Sequence, residues 1–125
     1  MADRVVIMLL NANPENPATL GAPFFQACVA GAMELQVEVH FATRAVQLLG
    51  IGFAATLYPG KERTKSVYDF MREAHDAGAR FYGCSQALQE FGIDESNAIP
   101  EFDGARGGAA FLGAALDENT LTLTY

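Results

Sequence analysis

The spacing of apolar residues changes several times along the chain, and each change marks a structural element. After Arg4 an unbroken aliphatic run extends to Leu10, as in a strand covered on both faces. The turn-forming stretch N-A-N-P-E-N-P follows from Asn11. From Ala22 the period becomes helical. Phe25, Cys28, Val29, Ala32 and Met33 fall at i, i+3, i+4, i+7 and i+8 and predict an inward stripe. Gln36–Ala42 predicts a second strand, in which Val37, Val39 and Phe41 alternate with Glu38 and His40. That alternation places one face nearer an edge or a subunit contact. Thr43–Leu49 predicts a short helix capped by Thr43.

Residues 50–65 form a long connection, apolar first and basic last, of the kind compact domains reserve for function or interfaces. Ser66 caps the next predicted helix, with Val67, Phe70, Met71 and Ala74 inward and Gly78 as its stop. Ala79–Gly83 is the third predicted strand, and Ser85–Phe91 a short helix ended by Gly92. In 93–106 the candidate strand is Ile99–Phe102, which Pro100 weakens. Gly107–Leu116 predicts a helix with Phe111, Leu112, Ala115 and Leu116 inward. Thr120–Tyr125 is a last strand rich in β formers.

Strands alternating with helices imply an α/β domain with a parallel sheet between helical layers, and residues 1–125 fit one such domain. In open parallel sheets, ligands gather beyond the carboxyl ends of the strands. That rule collects Asn11 and Asn13 after strand one, Thr43 and Arg44 after strand two, and Cys84 and Ser85 after strand three.

Composition narrows the partners. The net charge of −7 opposes a nucleic-acid surface and an anionic membrane. No apolar run approaches the ~20 residues that span a bilayer. The N-terminus reads as a strand rather than a signal peptide, which predicts a cytoplasmic protein. Cys28 and Cys84, far apart and without a C-x-x-C pair, are expected to be free thiols. Two histidines do not complete a zinc site.

Most familiar chemistries fail on spacing. There is no G-x-x-x-x-G-K-[ST], no G-x-G-x-x-G after strand one, and no nucleophile elbow around Gly83-Cys84-Ser85. A C-x-x-x-x-x-R phosphatase loop would need arginine where Glu90 stands, and a receiver would need acids where the first loop has asparagines. A Cys–His pair could come only from His40 or from His75, which reads as an exposed mid-helix residue. What survives is a thiol at a strand-to-helix junction. Helix N–H groups there would favour the thiolate, which attacks sulfane sulfur and holds it as a persulfide. Arg44 would add positive charge, and the basic loop from Lys61 to Lys65 would attract an acidic donor protein or an anionic sulfur species.

The run F-Y-G-C-S-Q-A-L-Q-E-F-G-I from Phe81 to Ile93 resembles the DsrE/DsrF/TusD-like sulfur-relay family. So do the Ala22-Pro23-Phe24 helix start and the end of strand two with its Val46, Leu48 and Leu49 segment. The glycine-rich helix before T-L-T-L-T-Y agrees as well. The resemblance covers essentially the whole chain. It implies a three-layer α/β/α sandwich (flavodoxin- or Rossmann-like) around a mostly parallel five-stranded sheet. It also implies a trimer or hexamer, and a persulfide carried on the cysteine after strand three, here Cys84. No metal or nucleotide is needed. The family role transfers only to Cys84; sulfur-donor and sulfur-acceptor proteins would be the partners, and the strand-end rule, not the resemblance, makes Asn11, Asn13, Thr43, Arg44 and Ser85 the surrounding substrate-binding positions. Relatives often carry an acidic-glycine turn after strand two, where this chain has Thr43-Arg44-Ala45.

Three readings stay open on the residues. One is a sulfur carrier or sulfurtransferase accessory protein acting through Cys84. Another is a non-catalytic oligomeric scaffold with a structural Cys84 and the apolar loop Ile51–Tyr58 buried between subunits. The third is a flavin or nucleotide pocket at the same rim. Cys28 is assigned to core packing, and Asn11 and Asn13 are also ordinary turn formers.

Overall fold

The computed structural model describes residues 2–125. Five parallel strands, β1 (Arg4–Leu9), β2 (Gln36–Phe41), β3 (Arg80–Cys84), β4 (Phe102–Arg106) and β5 (Thr120–Thr124), form one sheet. The strand order is β4-β3-β2-β1-β5. Helices α1 (Gly21–Ala32), α2 (Val67–Asp76), α3 (Ser85–Glu90) and α4 (Gly108–Ala115) connect them. A 3₁₀ helix over Thr43–Leu49 and a shorter one over Ala54–Thr56 fill the β2–α2 connection.

Register assigns the two faces. Val5, Val37 and Leu121 are level, as are Ile7, Val39, Phe81 and Leu123. Side chains alternate along a strand, so these residues share one face. On it Phe24 of α1 packs against Phe41 and Phe81, with ring centroids 5.9 Å apart in both pairs, and Phe41 and Phe81 lie 5.3 Å apart. Met71 and Ala74 of α2 complete this core. The opposite face carries Val6, Met8, Glu38, His40, Tyr82 and Cys84. There α4 brings Phe111 edge-on to His40 at 5.3 Å. The layers are therefore unequal: one face carries three helices and the other only α4.

The helix α1 corrects the expected stripe. Its buried residues are Pro23, Phe24, Ala27 and Ala30, while Phe25, Val29 and Met33 face outward. Its twelve positions hold a single polar residue, Gln26, so apolar spacing could not choose the face. Size chose it instead. Small residues let α1 approach the sheet and α2, and a Cβ on Gly31 would lie 2.4 Å from the Ala77 carbonyl oxygen. The helix α4 is corrected in the same way, with Ala114 buried and Leu112 and Leu116 exposed.

Ser66 forms a reciprocal capping box with Asp69, as the pattern predicted. Thr43 does not cap. It sits at φ 51°, and its hydroxyl donates to the Leu10 carbonyl at 2.8 Å, joining the ends of β1 and β2. The fourth strand begins where Ile99–Phe102 was expected to end. Asp103 there replaces part of the ladder by accepting from the Phe81 N–H at 2.8 Å, at a register irregularity between β3 and β4. His75 is not on an open face. Its ring lies 5.3 Å from Phe81 and its Nε2 is 3.0 Å from the same Asp103 carboxylate. Tyr68 of α2 donates to Glu101 at 2.8 Å, and burial, followed by that bond, pushes its phenol up to about 12. The Ile51–Tyr58 loop packs on its own domain through Phe53, Ala54 and Leu57, leaving Ile51 and the small Ala55 exposed among its apolar side chains.

The Gly31 contact gives a stability test. Gly31→Ala should lower the unfolding free energy in urea by about 1–3 kcal/mol, the usual cost of overpacking. Gly113→Ala, which meets open space in α4, should raise it by roughly 0.5–1 kcal/mol. Equal effects of the two substitutions would show that α1 and α2 do not meet closely at Ala77.

Candidate functional site

The site begins with one glycine. Gly83 lies on the core face of β3, and a Cβ there would come within 2.8–2.9 Å of three side-chain carbons of Leu88. Leu88 is buried on α3, so the missing Cβ lets α3 turn tightly against the strand that leads into it. The next residue, Cys84, is the last of β3 and the N-cap of α3. Strand alternation sends its side chain to the opposite face, toward α4.

That direction decides what the thiol meets. Cys84 makes no side-chain capping bond to α3, which is only six residues long. The thiol instead lines a cavity of about 60 Å³ with Met8, His40, Phe41, Ala42, Arg106, Gly107, Gly108 and Phe111. The helix that starts at this wall is α4, with Gly107 as its N-cap. Its first N–H groups lack intrahelical partners by construction. Cys84 is free and half-buried, as is Cys28.

The cavity is mainly apolar but has two polar borders. His40 is 5 % exposed, and its Nε2 lies 3.0 Å from Glu38 Oε1. The other Glu38 oxygen is 3.6 Å from Arg4 Nε. The His40 ring is flanked by Tyr82 at 5.6 Å and Phe111 at 5.3 Å, which fixes its plane. Arg106 is the register partner of Cys84 across β3 and β4. Its guanidinium sits 4.1 Å from the Tyr82 ring centroid.

The other rim residues lie elsewhere. Arg44 Nη1 donates to Asn13 Oδ1 at 3.2 Å and lies 3.7 Å from Glu15. Asn13 also accepts from the Glu15 N–H at 2.9 Å, a turn-forming role. Asn13 and Arg44 border a separate cavity of about 410 Å³ with Gln47, Phe53 and Phe91. Asn11 is exposed, and its N–H donates to the Tyr125 carbonyl at 2.9 Å. Thr43 joins strand ends, and Ser85 is the exposed first residue of α3. Of the rim set, only Cys84 borders the small cavity.

Sequence reasoning missed Arg106. Placing β4 at Phe102–Arg106 would have brought Arg106 to the same rim by the rule that selected Cys84. Missing that strand hid it. The alternation placed His40 on a less covered face, towards an edge or a subunit contact; it is instead buried within its own chain, against Glu38 and Phe111.

Residues 4–120 match the family described as DsrE/DsrF-like. Among solved structures, the ychN protein from E. coli superposes with a TM-score of 0.77 at 16% identity, each chain covered in full. A protein of unknown function from Methanobacterium thermoautotrophicum, MTH1491, superposes with a TM-score of 0.68 at 17% identity, over 98% of each chain. These likenesses show the fold. Comparison with curated proteins gives no match. Among the described residues, no helix is long and apolar enough to cross a membrane.

The junction can be tested by coupling. Gly83→Ala should destabilise the protein by about 1–3 kcal/mol and alter the alkylation rate of Cys84. Leu88→Ala alone should cost about 2–5 kcal/mol, and the double variant less than the sum of the two. Strict additivity in urea titrations would show that the two side chains do not compete for space.

Proposed function

The chain belongs to the DsrE/DsrF-like family, and on that premise we propose that it carries sulfane sulfur as a persulfide on Cys84. One observation supports this above the others: a free, half-buried thiol borders a small, mainly apolar cavity of about 60 Å³.

The exchange balances without an oxidant. The Cys84 thiolate attacks the outer sulfur of a donor persulfide, RS–SH. The donor S–S bond breaks, RS⁻ leaves, and Cys84–S–SH forms. Transfer to an acceptor thiolate repeats the same step in reverse roles. Donor and acceptor proteins would supply the two thiols.

Incubation with inorganic polysulfide followed by intact-mass measurement is the direct test. The wild type should gain sulfur, Cys28→Ser should gain as much, and Cys84→Ser should gain none. Uptake that persists in Cys84→Ser removes the assignment.

A second reading, a scaffold with a structural Cys84, draws on the contact of that cysteine with the core. Slow alkylation of Cys84 at neutral pH would favour it, and fast alkylation the carrier.

Both readings include self-association. Gly107–Leu116 contains no polar side chain, yet Leu112 is 58% and Leu116 80% exposed. Helices apolar all round are normally buried. A trimer or hexamer covering α4 should elute as such in light scattering, and Leu112→Glu with Leu116→Glu should release monomer. A wild-type monomer at micromolar concentration would remove this part of the proposal.

A further inference from the structure

The cavity beside Cys84 has an unused cation at its border. Arg4, Arg44, Lys65 and Arg80 each lie within 4.0 Å of a carboxylate. None of the ion pairs among the described residues involves Arg106. Its Nη1 donates only to the Ala105 carbonyl, at 3.0 Å. The rest of its planar donor fork is free, and the Tyr82 ring beneath it, 4.1 Å from the guanidinium carbon, limits where that fork can go. The strand register puts it level with Cys84, and both residues border the same cavity. A cation so placed, at an apolar wall with no acid of its own, suits an anion that arrives with the reaction.

Resting on the carrier reading, we infer that Arg106 holds the outer sulfur of the Cys84 persulfide as its anion. A disulfide-type S–S bond of about 2.05 Å carries that sulfur beyond the cysteine into the cavity. The proton of Cys84–S–SH leaves to the departing donor thiolate or to water, and the resulting S⁻ accepts N–H bonds from the guanidinium. His40 is a poorer holder, because its Nε2 is already engaged by Glu38 at 3.0 Å. The substrate class follows: a sulfur species that can leave an anionic terminal sulfur on the protein.

The test uses Arg106→Gln and Arg106→Lys in a Cys28→Ser background, with two readouts. First, each protein is loaded with inorganic polysulfide and desalted, and its sulfane sulfur is released with cyanide. Arg106→Gln should lose the loaded sulfur about tenfold faster than its parent, equivalent to about 1.4 kcal/mol, and Arg106→Lys should lie between them. Second, Cys84 is alkylated with anionic iodoacetate and with neutral iodoacetamide. The parent should favour iodoacetate relative to Arg106→Gln severalfold, and Arg106→Lys should restore most of that preference. A merely structural arginine would change both reagents alike. Equal reagent ratios in all three proteins overturn the inference, as does equal persulfide lifetime. If the parent takes up no sulfur, the carrier reading fails, and the reagent ratio alone decides whether Arg106 holds an anion beside Cys84.

Discussion

The structure depends on the direction in which the chain crosses its sheet. From β1 through β2 and β3 to β4 each strand is laid beside the last in one direction, and the final step returns past all of them to β5. Parallel crossovers are right-handed, so successive helices fall on one face until the direction reverses. The first three helices therefore share the face with Phe24, Phe41 and Phe81, and α4 alone crosses the other. The reversal makes one side a full core and the other a thin cover. A thick layer over both faces would bury every strand end. The single helix leaves a small space beside the last residues of β2, β3 and β4, and that space is where Cys84 lies.

Within that frame the chemistry is set by alternation. Gly83 faces the core and Cys84 faces α4, although the two are adjacent. Two helix starts meet at the thiol-lined cavity, that of α3 through Cys84 itself and that of α4 through Gly107. Reading the chain linearly ties the cysteine to the helix that follows it. Reading the sheet as two faces ties it to the helix that arrives from the far edge. The contribution of α3 is steric: Leu88 fills the space a Cβ on Gly83 would need, and so fixes where the strand ends.

Much of this was legible in the residues. Strands β1, β2 and β5 emerged from aliphatic runs and alternation, the Ser66 cap from its pattern, and the class of fold from the order of elements. Other parts were not. The inner face of α1 could not be read because nearly every position is apolar; helix approach at Gly31 decides it, and that is a distance between segments far apart in sequence. The fourth strand hid behind Pro100 and a polar sequence, because Asp103 substitutes for part of its ladder. Losing that strand lost Arg106. Arg44 looked equivalent by rim position, yet Asn13 and Glu15 draw it to a different cavity.

A site for sulfur exchange asks little of a protein. The bond changes occur between sulfur atoms and balance without a cofactor, so the chain must supply a nucleophile, shelter for one transferred atom, and access for the next thiol. On the proposed reading, an apolar wall would keep water from a reactive terminal sulfur, while one cation would hold that sulfur in place. The two demands oppose each other, because burying a cation in the same wall would cost several kcal/mol or more without a partner. Arg106 would reconcile them by remaining solvent-exposed, with its guanidinium carbon 4.1 Å from the Tyr82 ring centroid at the border of the cavity. The exposed Leu112 lies on the helix whose Gly108 and Phe111 border that cavity.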